Sequence, residues 1–107
     1  MRPFVLNGNV WRVIRVQPGD PYLVDQTGMP KLAVADPAHK MIGISRSVFP
    51  PLLDRILLHE IGHAITMEYG LPVDEESAQL IEGHSVEAVT LASEVLGRPV
   101  CVDGLCV

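Results

Sequence analysis

Residues 57–64 read Leu57-Leu58-His59-Glu60-Ile61-Gly62-His63-Ala64, and the spacing of the two histidines governs how the rest of the chain is read. On an α-helix, positions i and i+4 lie one above the other on the same face, so His59 and His63 can both reach one metal ion. Zinc is commonly held by imidazoles in this way. Glu60, next to the first of them, is then placed beside the metal's open position, where it can take a proton from a zinc-held water. The flanking Ile56, Leu57, Leu58, Ala64 and Ile65 carry no charge, which sets the motif inside a buried helix rather than a polar loop. The plainer alternative is a helix that carries two histidines and no metal.

Working outward, the motif helix is expected to open near Pro50-Pro51, because proline suits a first helical turn, and to run to about Tyr69, stopping at Gly70-Leu71-Pro72. Leu53, Leu57, Ile61, Ala64 and Ile65 make its apolar face, bordered by His59 and His63. A second helix is predicted from Asp74, a good N-cap, to Gly97-Arg98-Pro99. Its small-to-apolar stripe runs through Ala78, Ile81, Ser85, Ala88, Val89, Ala92 and Leu96. Upstream, Val10 to Val16 is β-branched and partly alternating, a good strand ended by Pro18-Gly19-Asp20-Pro21. Tyr22 to Asp25, Leu32 to Ala35 and Met41 to Ser45 are shorter strand candidates. Residues 1–49 are thus expected as strands and turns, 50–97 as two helices, and 98–107 as a tail or hairpin. The expectation is one α+β domain over residues 1–107, with three or four strands in an antiparallel or mixed sheet.

Composition narrows the function classes. With 107 residues, 48% apolar and 20% charged, the chain can bury one modest core and reads as globular. A net charge of −5 with only eight Lys and Arg argues against nucleic acid, which needs a basic face. No stretch approaches the roughly eighteen apolar residues of a membrane span, and the first residues lack the pattern of an export signal, so a cytoplasmic location is expected. Near the C-terminus, Cys101-Val-Asp-Gly-Leu-Cys106 suggests a small hairpin turning at Asp103-Gly104. In a reducing compartment Cys101 and Cys106 are expected as free thiols, with a disulfide or a thiolate at the metal as alternatives.

A catalytic zinc takes three protein ligands. The position six residues beyond His63 is Tyr69, not histidine, so the third ligand is sought at the acidic start of the second helix or at His84. Glu75 and Glu82, seven residues apart, share one edge of that helix, whereas Glu76, His84, Glu87 and Glu94 project from its solvent side. An extended connection after Gly70 favours Glu75; a tight one favours Glu82. Geometry leaves both open, and acids in a helix's first turn are favoured by the helix dipole without any metal.

On these residues the chain resembles the small gluzincin-type metallopeptidases of phage and prophage origin, relatives of the ImmA/IrrE group, and in compactness the minigluzincins. Those proteins pair a strand like Met41-Ile-Gly-Ile-Ser45 with a helix of this His-Glu-x-x-His form. A helix opening Glu-x-x-Ala or Val follows, and its leading Glu is the third ligand. Glu75-Glu76-Ser77-Ala78-Gln79 matches that opening, so the resemblance, which covers roughly residues 40 to 97, implies Glu75 as the third ligand. Gln79 departs from the usual acid or Asn. The resemblance further implies a minimal zincin-like fold, its small sheet packed on an active-site helix and a ligand-bearing second helix. It implies one Zn2+ per chain, a peptide or protein substrate, and hydrolysis with Glu60 as general base.

In such a site an extended substrate would add antiparallel to an edge strand at Met41 to Ser45, which makes Ile42, Gly43 and Ile44 the expected substrate-binding residues. His84 and Tyr69 are the downstream candidates for an oxyanion donor, although a surface role is the plainer reading of each. His39 reads as a turn histidine. Two alternatives stay in view: a catalytically silent, zinc-stabilised peptide-binding module, and a helix–strand domain with no metal.

Overall fold

Asn7 and Gly8 both take positive φ, 52° and 78°, the conformation a two-residue hairpin turn requires. They fold β1 (Phe4–Leu6) back onto β2 (Asn9–Val16). The computed structural model describes residues 1–70, 86–102 and 105–106. β3 (Ala33–Asp36) and β4 (Met41–Ser45) form a second antiparallel pair. Their turn is held by Asp36, whose Oδ1 accepts the Ala38 and His39 amides at 3.1 and 3.3 Å. β2 and β4 then pair in parallel, giving a mixed four-stranded sheet in the order β1-β2-β4-β3.

Helix α1 (Leu52–Glu68) lies against this sheet. It begins directly after Pro50-Pro51 and ends where Gly70 turns to φ 68°, as proline and glycine punctuation predicts. Leu57, Leu58, Ile61 and Ala64 are fully or almost fully buried, against Trp11, Ile42 and Ile44 of the sheet and Ala88, Val89, Ala92 and Val95 of α2 (Val86–Leu96). Glu87 and Glu94 of α2 are exposed, as its helical pattern predicts. Near the C-terminus β5 (Cys101–Val102) and β6 (Leu105–Cys106) pair antiparallel, with Cys101 opposite Cys106. The fold is a small α+β domain. Among the described residues no helix is long and apolar enough to cross a membrane.

Three expectations change. The stretch from Tyr22 to Asp25 is not a strand: Pro21–Leu23 form a 3-10 turn. Asp20 caps it through an Oδ1 bond from the Tyr22 amide at 2.9 Å, and this local bond overrides the β preference of Tyr-Leu-Val. β1 is an additional strand, signalled by Asn7-Gly8 between two apolar runs. Most consequentially, β4 is interior rather than an edge, paired on both sides. Ile42 and Ile44 point into the core with no exposed surface, and Gly43 lies under the Tyr22 ring on the opposite face. None of the three offers a free backbone edge or an exposed side chain to a substrate.

Candidate metal centre

The helical repeat of α1 stacks His59 over His63 as expected. Their Nε2 atoms converge to 3.1 Å and the rings stand nearly perpendicular, at 85°. Two nitrogens that share a tetrahedral zinc at about 2.0–2.1 Å stand roughly 3.3 Å apart. The observed pair therefore suits a zinc ion in both spacing and donor type. Both imidazoles are half-buried, and Glu60 beside them is 8% exposed. All three line one cleft of about 630 Å³ between α1 and the sheet, with Ile56 and Met67 as its apolar flanks. Among the described residues no group of three His, Cys, Asp or Glu is assembled around a metal position. Glu75, Glu82, His84 and Gln79 lie outside the described residues.

The opposite wall of the cleft is β3, which among the described residues is an edge strand of the sheet, with Lys31 and Leu32 leading into it. Its register with β4 pairs Ala33 with Ile44 and Ala35 with Ile42, and one residue earlier the Leu32 carbonyl accepts the Ser45 amide at 2.8 Å. Bonded and non-bonded positions alternate in an antiparallel pair. Leu32, Val34 and Asp36 therefore bond to β4, while Ala33 and Ala35 turn their N–H and C=O groups to the open edge.

A buried clamp sets the position of α1. Glu68, in its last turn, has a side chain only 3% exposed. It accepts the Lys40 ammonium at 2.6 Å, the Trp11 indole N–H at 2.8 Å and the Asn9 amide at 2.9 Å. The Lys40 contact outweighs the cost of burial, and with the Trp11 and Asn9 bonds it holds the Glu68 carboxyl down from 4.5 to about 2. Because Lys40 follows the β3–β4 turn, the clamp fixes the end of β3 beside the last turn of α1. β3 thus runs alongside α1 in the same direction. At the other end of the helix, Asp54 takes both terminal nitrogens of Arg98 at 2.5 and 2.6 Å.

Sequence reasoning did not assign a role to Glu68, Lys40 or Trp11. The available signal was the tryptophan itself, since a buried indole N–H needs an acceptor. His39 sits in the β3–β4 turn, its Nδ1 at 2.7 Å from Asp36 Oδ2, in keeping with a turn histidine. Tyr69 is half exposed at the end of α1 and does not line the cleft.

No protein family, curated protein or solved structure matches this chain.

Proposed function

We propose that the chain is a zinc-dependent peptidase of the zincin type, acting on extended peptide segments. The observation that carries this reading is the convergence of the His59 and His63 Nε2 atoms to 3.1 Å, beside Glu60 in a cleft walled by a strand edge that is unpaired among the described residues. His59 and His63 would hold the metal, with Glu75 as the third ligand and Glu82 as its rival. When bound, zinc supplies a Lewis acid that polarises the scissile carbonyl and brings the pKa of water towards neutral.

The chain's own residues do the rest. Ala33 and Ala35 on β3 accept an extended peptide as an added strand, holding its backbone across the cleft. This role replaces the one expected for Ile42, Gly43 and Ile44. Glu60 is set to take the proton of the attacking water and hand it to the leaving amine as the C–N bond breaks. Ile56 and Met67 limit water around the reacting groups.

Two measurements test the reading together. Elemental analysis after zinc loading is expected to give one zinc per chain, and a mixed peptide library is expected to be cleaved by the native protein but not by Glu60→Gln. Absence of zinc would sink the reading. Zinc and peptide binding without cleavage would leave a silent binding module instead.

A further inference from the structure

Among the described residues the cleft is electrically lopsided. Besides the two histidines, Lys31 and Arg55 are the basic side chains lining it there, and both are exposed cations in a chain of net charge −5. Both lie at the same mouth, because β3 and α1 run in the same direction. Lys31 leads into β3, and Arg55 stands in the early part of α1, one turn before His59. Leu32 and Leu52, each about half exposed, flank them. Among the described residues the nearby acids are held by other groups, although Asp25 also lies in the field of Lys31. Asp54 is held by Arg98, and Asp25 Oδ1 accepts the Thr27 hydroxyl and the Thr27 and Met29 amides.

Resting on the peptidase reading of this cleft, we propose that Lys31 and Arg55 select substrates by a carboxylate on the leaving-group side of the scissile bond. The direction follows from β3. A peptide that adds antiparallel, the more stable pairing, carries its C-terminal part to the end where β3 begins. The distance follows from the helix. Arg55 precedes His59 by about 6 Å and His63 by about 12 Å along the axis. An extended peptide advances about 3.3 Å per residue. The carboxylate therefore falls roughly two or three residues beyond the cleaved bond. An internal Asp or Glu supplies it, or the free C-terminus of a short peptide does.

The test reads binding and cleavage separately. Labelled peptides with one Asp, or Asn in its place, and with free or amidated C-termini are titrated by fluorescence polarisation into zinc-loaded Glu60→Gln. Their cleavage by the native protein is mapped by mass spectrometry. Peptides bearing the carboxylate are expected to bind about five- to tenfold more tightly, the range two partly exposed charge contacts supply, and the margin should shrink at high salt. In Lys31→Glu/Arg55→Glu the preference should invert towards Lys peptides. Amidation that removes the effect only from peptides without Asp identifies the C-terminus as a second source. Equal binding of Asp and Asn peptides, with cleavage intact, would overturn the charge selection and leave the peptidase reading standing. An acidic preference on the amino side of the cleaved bond would also overturn it. If no peptide is cleaved, the peptidase reading fails while the Asp-to-Asn binding ratio still decides the selection.

Discussion

Glu68 Oε1 accepts the indole N–H of Trp11 at 2.8 Å, joining the last turn of the histidine-bearing helix to the second strand of the sheet. The same carboxylate takes the Lys40 ammonium, so its charge is anchored from two sides. Its pKa is lowered to about 2 from 4.5. A depressed carboxylate pKa contributes stability that is fully present above the unfolded value and is lost as pH falls through the folded one. Glu68→Gln is expected to be less stable than the native chain at pH 7, by about 1–2 kcal/mol given the solvent reaching Lys40. The gap should close between pH 4.5 and about 2. Urea titrations of both proteins across that window check it; a constant gap would remove the charge from the account.

Metal binding should couple to folding, because a ligand that binds only the native state raises its stability. Saturating zinc is expected to raise the melting temperature of the native protein and of Glu60→Gln alike. His59→Ala and His63→Ala should lose that response. A Glu60→Gln protein that failed to respond would move Glu60 from proton carrier to ligand.

The third ligand is open to a direct ranking. Glu75→Ala is expected to weaken zinc affinity by at least about tenfold, as loss of one of three protein ligands, and Glu82→Ala by less. Competition with a chromophoric chelator measures both under one set of conditions. The reverse order assigns the ligand to Glu82, one helical repeat further on.

The open edge of β3 makes its own prediction. The Ala35 amide faces the cleft and not β4, so Ala35→Pro removes an edge donor while sparing the ladder, a substitution that edge strands tolerate. Melting temperature is expected to change little, whereas peptide affinity of the zinc-loaded Glu60→Gln background should fall several-fold. Unchanged affinity in a folded variant would rule out strand addition at this edge.

Gly43 tests the other face of the sheet. A Cβ there would stand 2.7 and 2.9 Å from Tyr22 Cε2 and Cδ2, and the ring is tethered through its hydroxyl to Asp36 Oδ2 at 3.0 Å. Gly43→Ala is expected to destabilise by about 1–3 kcal/mol, the range for overpacking a close contact. In a Tyr22→Ala background the same change should cost much less, and a double-mutant cycle by chemical denaturation reads the coupling.

Much of this arrangement was legible in the residues. Proline and glycine bound α1, and Met41 to Ser45 matches β4 residue for residue. The strand order was not, because a period-two pattern records faces and not neighbours. One clue to β4's interior position was present. Ile42, Gly43 and Ile44 interpose no polar residue, the mark of a strand covered on both sides. The 3-10 turn at Pro21–Leu23 escaped because a single capping bond from Asp20 outweighs three residues of β preference. The histidine pair was readable because helical spacing alone aligns it. The Glu68 clamp joins residues 57 apart or more to the N-terminal hairpin, a distance at which local pattern carries no information.

A strand left unpaired along one side, as β3 is among the described residues, is also an invitation to self-association, since a second copy presents the same row of donors and acceptors. β3 answers this with brevity. It has four residues, with the Lys31 ammonium before it and Asp36 locked into a turn at its end. Two copies meeting edge to edge would gain few bonds over so short a strand. A flexible peptide can run on past both ends of the strand. The dimensions that make the edge a poor place for the protein to meet itself therefore leave it open to a peptide.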